Sequence, residues 1–100
     1  MVFVLTCSSE DEAYKITHAL LDARLVACVK WQPVVSHFIW QGKKESANEL
    51  LLTMESVEEK YDEIHALVKI LHSYSTFVLQ GIAVTRISDD VREWIQSSLQ

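Results

Sequence analysis

Apolar and polar positions alternate in a way that divides the chain into short strands and two amphipathic helices. Val2–Cys7 is a compact β-branched run that predicts a buried strand. Ser9 followed by Glu12 forms a capping-box pattern at a helix start. Ala13, Ile16, Leu20 and Ala23 then recur at helical spacing, so the pattern predicts a helix over about 11–24 with one apolar face, ending near Leu25. From Val26 to Gln41 the helical period is lost, and Val, Trp and Phe dominate. Pro33 has no N–H for a ladder and predicts a bend, with strands over about 26–32 and 34–40 on either side. Gln41-Gly42-Lys43-Lys44 reads as a turn, and Glu49–Met54 as the next strand.

Ser56 and Glu59 repeat the capping-box pattern. Val57, Tyr61, Ile64, Val68 and Leu71 follow at spacings of four and three, which predicts a second helix over about 57–72. Phe77–Thr85 reads as strand, with Gly81 marking a bulge or a close approach of backbone. Ser88-Asp89-Asp90 suits the start of a last short helix whose apolar side carries Val91, Trp94, Ile95 and Leu99.

Taken as one long bent strand, 26–40 gives the order β-α-β-β-α-β with a terminal helix. This predicts an α+β, ferredoxin-like split βαβ fold in a single domain over 1–100. The long strand is apolar on both faces, with Val29, Trp31, Val35 and Ile39 in one register and Val34, Phe38 and Trp40 in the other. A two-layer monomer would leave one of these sets in water, so the pattern predicts a homo-oligomer packed sheet against sheet.

Composition narrows the function classes. With nine basic and fourteen acidic residues the net charge is −5, which argues against nucleic acid or anionic membrane as a partner. The opening apolar run is too short for a signal-peptide core, and no stretch reaches the ~18 apolar residues of a membrane span. A cytoplasmic location is therefore expected, with Cys7 and Cys28 as free buried thiols. The chain has no Gly-x-Gly-x-x-Gly and no phosphate loop. The paired acids Asp11-Glu12, Glu58-Glu59 and Asp89-Asp90 all fall in first helical turns, where the helix dipole accounts for them. These features argue against an enzyme.

Ala27-Cys28-Val29, Pro33, Ser36, Trp40-x-Gly42-Lys43 and Glu49 stand in an order that resembles the CutA family, the divalent-cation tolerance proteins. Val4-Leu5-Thr6-Cys7 before Ser-Ser-Glu-Asp-Glu-Ala, the His72-x-Tyr74 element and Trp94 extend the resemblance over nearly the whole chain. The resemblance implies a ferredoxin-like subunit in a tight homotrimer similar to nitrogen-regulatory PII proteins, and a role in tolerance of copper and other divalent cations. It places candidate metal ligands at Cys7 and His72, whose thiolate and imidazole suit Cu(II) or another divalent cation. It also implies an alternative role as a PII-like sensor or scaffold that takes a small ligand or a protein partner in clefts between subunits, with Trp40, Lys43, His72, Tyr74 and Trp94 as candidate lining. No short ligand spacing joins Cys7 to His72, and His18, His37 and His65 read as surface or interface residues.

The chain departs from the family pattern at several polar positions. Ser73 replaces the proline of a His-Pro-Tyr element, and Phe77-Val78 replaces a proline and glutamate. Glu55-Ser56 stands for a lysine-threonine pair, Phe38 for a hydroxylated aromatic, Ile87 for a glycine and Val91 for a tyrosine.

Overall fold

The structure, a computed structural model, describes residues 1–100. The elements are β1 (Val2–Cys7), α1 (Glu10–Asp22), β2 (Cys28–Trp40), β3 (Lys43–Glu55), a 3-10 turn (Glu58–Lys60) leading into α2 (Tyr61–Leu71), β4 (Leu79–Ile82) and α3 (Val91–Ser98). The strands form one antiparallel sheet in the order β2-β3-β1-β4. This is the ferredoxin-like arrangement expected from the pattern.

The core lies between one face of the sheet and the apolar stripes of α1 and α2. Phe3, Leu5 and Cys7 alternate into it along β1, opposite Met54, Leu52 and Leu50 of β3. Ala13, Ile16 and Leu20 meet them from α1, and Ile64 and Val68 from α2. These are the helical positions that the spacing picks out. Trp31 adds a polar tie, because its indole N–H donates to Thr17 Oγ1 of α1 at 3.0 Å.

The structure corrects the reading of 26–54. Pro33 does not break the strand: β2 pairs with β3 without interruption from Cys28↔Glu55 to Trp40↔Lys43, and Pro33 lies opposite Leu50. An edge strand tolerates a missing N–H, and β2 is an edge. The turn is confined to Gln41 and Gly42, both at positive φ (51° and 77°), the geometry of a two-residue hairpin turn. Lys43 and Lys44 already belong to β3, so that strand begins six residues before Glu49. Because β1 pairs only with Leu50–Glu55, the outer half of the hairpin is a two-stranded arm. Cys28 lies opposite Glu55 and is only half-buried, rather than being a core residue.

Other boundaries shift for local reasons. Ser56 does not cap α2; its hydroxyl donates to Leu25 O at 2.6 Å and ties the end of β3 to the connection between α1 and β2. Asp90 takes a left-handed conformation (φ 67°) and makes no capping bond to α3. β4 is four residues long, where the pattern predicts nine. Gly81 is a close approach as expected, since a Cβ there would lie 2.9 Å from Met1 Sδ and 3.0 Å from Phe3 Cε1.

Candidate metal centre

β1 ends at Cys7, α1 begins three residues later, and α2 returns to the same end of the sheet to finish at Leu71. The fold therefore brings Cys7, Glu12 and His72 together. One ligand atom from each, the thiol sulfur, a carboxylate oxygen and an imidazole nitrogen, lies within 4.8 Å of the others. All three residues are buried.

Each member has a defined environment. Burial pushes the Cys7 thiol up to about 12, and the Glu12 and Glu49 carboxylates reinforce the effect. His72 Nε2 lies 2.8 Å from Thr6 O, and a carbonyl can only accept, so Nε2 carries the proton. Nδ1 then presents its lone pair and accepts the Tyr74 N–H at 3.0 Å. The Phe77 ring stacks on the imidazole, with centroids 5.1 Å apart, and fixes its plane.

Glu12 is held most fully. Its Oε2 accepts from Ser8 N–H (2.7 Å) and Ser8 Oγ (2.9 Å), while Oε1 accepts the Ser73 N–H. Burial alone would raise this carboxyl, but the hydrogen bonds from Ser73 and Ser8 outweigh it and hold it below its usual 4.5. Oε1 also lies 3.7 Å from His72 Nδ1. Half of the capping box forms as expected, because Ser9 Oγ accepts the Glu12 N–H at 3.1 Å. The reciprocal half is displaced by one residue, to Ser8.

Glu49 forms the outer rim. It sits one rung past Leu50, the partner of Cys7, so β1 no longer flanks it. Tyr74 Oη–H donates to Glu49 Oε2 at 3.0 Å. Burial, then this bond and the nearby Glu49, Glu12 and Cys7, raise the Tyr74 hydroxyl above its usual 10.0. An open pocket of about 430 Å³ adjoins the rim, bordered by Ser8, Ser9, Pro33, Val35 and Glu49.

Of the residues singled out in the sequence, the structure brings together Cys7, His72 and Tyr74. Trp40 and Lys43 pair with each other at the hairpin tip. They stand six residues beyond Val34, the partner of Glu49, or about 20 Å away at strand spacing. Trp94 is half-exposed on α3. Within one chain, Trp40 and Lys43 therefore do not reach His72. His18 and His37 are exposed and His65 is half-buried, as expected. Glu12 and Glu49 are the residues that sequence reasoning missed as site members. Glu12 in particular is explained by the helix dipole until the fold shows it buried against His72.

A buried thiol, an imidazole and a carboxylate at one end of an antiparallel sheet define a small α+β protein equipped with mixed S, N and O donors for a borderline cation. Comparison with known proteins gives the family. The family model of the CutA1 divalent ion tolerance protein matches residues 1–98, and the chain belongs to that family. It is 34% identical over 96 residues to the divalent-cation tolerance protein CutA of Archaeoglobus fulgidus, covering 96% of this chain and 94% of that one. It is 29% identical to the protein of the same name from Thermus thermophilus, covering 97% and 95%. Among solved structures, that of the periplasmic divalent cation tolerance protein CutA from Archaeoglobus fulgidus superposes with a TM-score of 0.96 at 33% identity, covering 99% and 97% of the two chains. The divalent cation tolerance protein of Thermus thermophilus superposes at 0.94 with 28% identity, covering 97% and 95%.

Proposed function

We propose that this protein acts in tolerance of divalent metal ions by binding a cation, copper or another borderline metal, at Cys7, Glu12 and His72. The observation that carries this reading is the convergence of three different donor atoms within 4.8 Å in a buried site. The donor set fits such an ion, because thiolate and imidazole both favour Cu and Zn over hard cations. Relatives named for divalent-cation tolerance supply the cellular context.

The reading is of a binding protein rather than an enzyme. A thiol pushed up to about 12 is the opposite of an activated nucleophile. The test is calorimetric titration with Cu(II) and, separately, Zn(II). One ion per subunit is expected, with binding weakened at least tenfold in Cys7→Ser, Glu12→Gln and His72→Ala. Binding that is equally strong in all three variants would refute the site.

A second reading is favoured by the arm. It carries exposed Val35 (62%), Ile39 (67%) and Trp40 (48%), and a two-stranded hairpin is marginal alone. We propose that copies of the chain cover this arm in a homotrimer. Trp40 and Lys43 of one subunit would then reach the pocket beside Glu49 of another and form a cleft for a small ligand, in the PII manner. Thermal-shift screening with metabolites and nucleotides, in the absence of metal, tests the cleft. A cytoplasmic location fits two free cysteines, although the Archaeoglobus fulgidus structure carries the name periplasmic.

A further inference from the structure

The cation site is filled by the chain's own backbone. Glu12 Oε1 and His72 Nδ1 lie 3.7 Å apart, and each is capped by a backbone N–H from consecutive residues. Ser73 N–H donates to Glu12 Oε1, and Tyr74 N–H donates to His72 Nδ1. The other imidazole nitrogen is committed as a donor to Thr6 O and offers no lone pair. A cation that takes Nδ1, with its single lone pair, must therefore displace the Tyr74 amide, and one that takes Oε1 competes with the Ser73 amide for the charge of that oxygen.

We propose that the Ser73–Tyr74 connector is a built-in competitor of the cation, so that loading the site requires Tyr74 to let go of His72 and loosens the hold of Ser73 on Glu12. The inference rests on the cation reading above and adds its regulation. The displacement has a second effect. Tyr74 carries the hydroxyl that holds Glu49, and Glu49 borders the open pocket. When the backbone of Tyr74 leaves His72, its hydroxyl is drawn away from Glu49, and that carboxylate is free to face the pocket. Occupancy at Cys7 is thereby reported at the neighbouring surface through a segment of two residues.

The connector is suited to release. Ser73, Tyr74, Ser75 and Thr76 are all exposed, in no helix or strand, and the side-chain ties of the connector are the bond of Ser73 Oγ with Ser8 Oγ (3.1 Å), that of Tyr74 with Glu49, and the Tyr74 ring tilted against the His72 imidazole at 5.1 Å. Few buried contacts and short polar ties are the properties of a segment that opens at small cost. The backbone also permits removal of one cap. His72 has φ −77° and ψ 138°, the extended conformation required of a residue before proline. Ser73→Pro therefore deletes a single N–H with no strain at His72.

The experiment uses Zn(II), which is redox-silent beside a thiol, on the whole protein. Wild type, Ser73→Pro and Ser73→Ala are titrated by calorimetry, with Cys7→Ser as the site control. Ser73→Pro is expected to bind zinc about tenfold more tightly, the factor for one charge-assisted hydrogen bond no longer competing for the Glu12 carboxylate. Ser73→Ala keeps the N–H and is expected to shift affinity by less than about threefold. In wild type, amide hydrogen exchange followed by NMR is expected to show Ser73 and Tyr74 protected without zinc and at least tenfold faster with it. Zinc that binds in a Cys7-dependent manner while both amides keep their protection overturns the connector inference and leaves the cation reading intact. Zinc that fails to bind wild type and Ser73→Pro alike overturns both. Should Ser73→Pro fail to fold, the exchange measurement on wild type decides alone.

Discussion

The two ends of the long hairpin obey different rules. At the inner end, near Leu50, every buried polar side-chain atom has a partner: Glu12 accepts from Ser8 and Ser73, His72 bridges Thr6 and Tyr74, and Tyr74 holds Glu49. At the outer end, Val35, Phe38, Ile39 and Trp40 stand in solvent with only β3 beside them. The inner end is complete within one chain, and the outer end is not. On the readings proposed above, the difference separates chemistry from assembly along one ribbon of backbone: substitutions at the tip should alter association without touching Cys7, Glu12 and His72, and substitutions at the cluster should do the reverse.

The sharpest way to break this contrast is to charge the tip. Ile39→Glu combined with Trp40→Ser is expected to abolish association and lower the mass seen by light scattering to that of one 11.5 kDa chain. Zinc binding should survive in that variant, and its loss would show that the two ends are not independent. Next in size is Glu12→Ala. It leaves two backbone N–H groups and the Ser8 hydroxyl without their acceptor and is expected to cost about 2–4 kcal/mol in urea denaturation. A loss below about 1 kcal/mol would mean that the carboxylate is not buried in solution.

Acid sharpens the same point. The folded Glu12 carboxyl titrates below 4.5, so the unfolded chain takes up its proton first. Its contribution is present above about pH 4.5 and is lost as the pH falls through the folded value. Wild type is expected to lose stability faster than Glu12→Gln on acidification below pH 4.5, read as the denaturation midpoint at each pH. A smaller effect concerns Cys7. At pH 8 iodoacetamide should leave it unlabelled in the native protein and modify it only after unfolding, because the thiol is buried and protonated. Smallest of all, Tyr74→Phe removes one hydrogen bond, to Glu49, and should cost about 1 kcal/mol.

Most of the fold was legible because helix packing writes a period into the sequence. Ala13, Ile16 and Leu20, and Ile64 and Val68, are core residues in both views. The hairpin was harder. Lys43–Asn48 is a strand with hardly an apolar side chain, since as part of the arm it meets no core, and Pro33 in an edge strand gives the same local signal as a bend. The site was half legible. Cys7 and His72 stood out by residue type, but Glu12 sits 60 residues from His72, and an acid in a first helical turn already has a sufficient explanation. Only its burial, and the three donors aimed at it, distinguish it from Glu10 and Asp11.

The strand order carries a consequence for how the chain reaches this state. β1 is an inner strand, and Val2 is paired with Glu55 on one side and Ile82 on the other. The β2–β3 hairpin closes a two-residue loop and can form early, but the sheet is complete only when the first residues made meet some of the last. A chain emerging during synthesis can therefore add its hairpin to β1 once residue 55 is available, but β1 keeps a bare edge until residues 79–82 arrive. Deleting Met1–Cys7 removes the middle of the sheet rather than an end of it, whereas trimming the hairpin tip shortens an appendage.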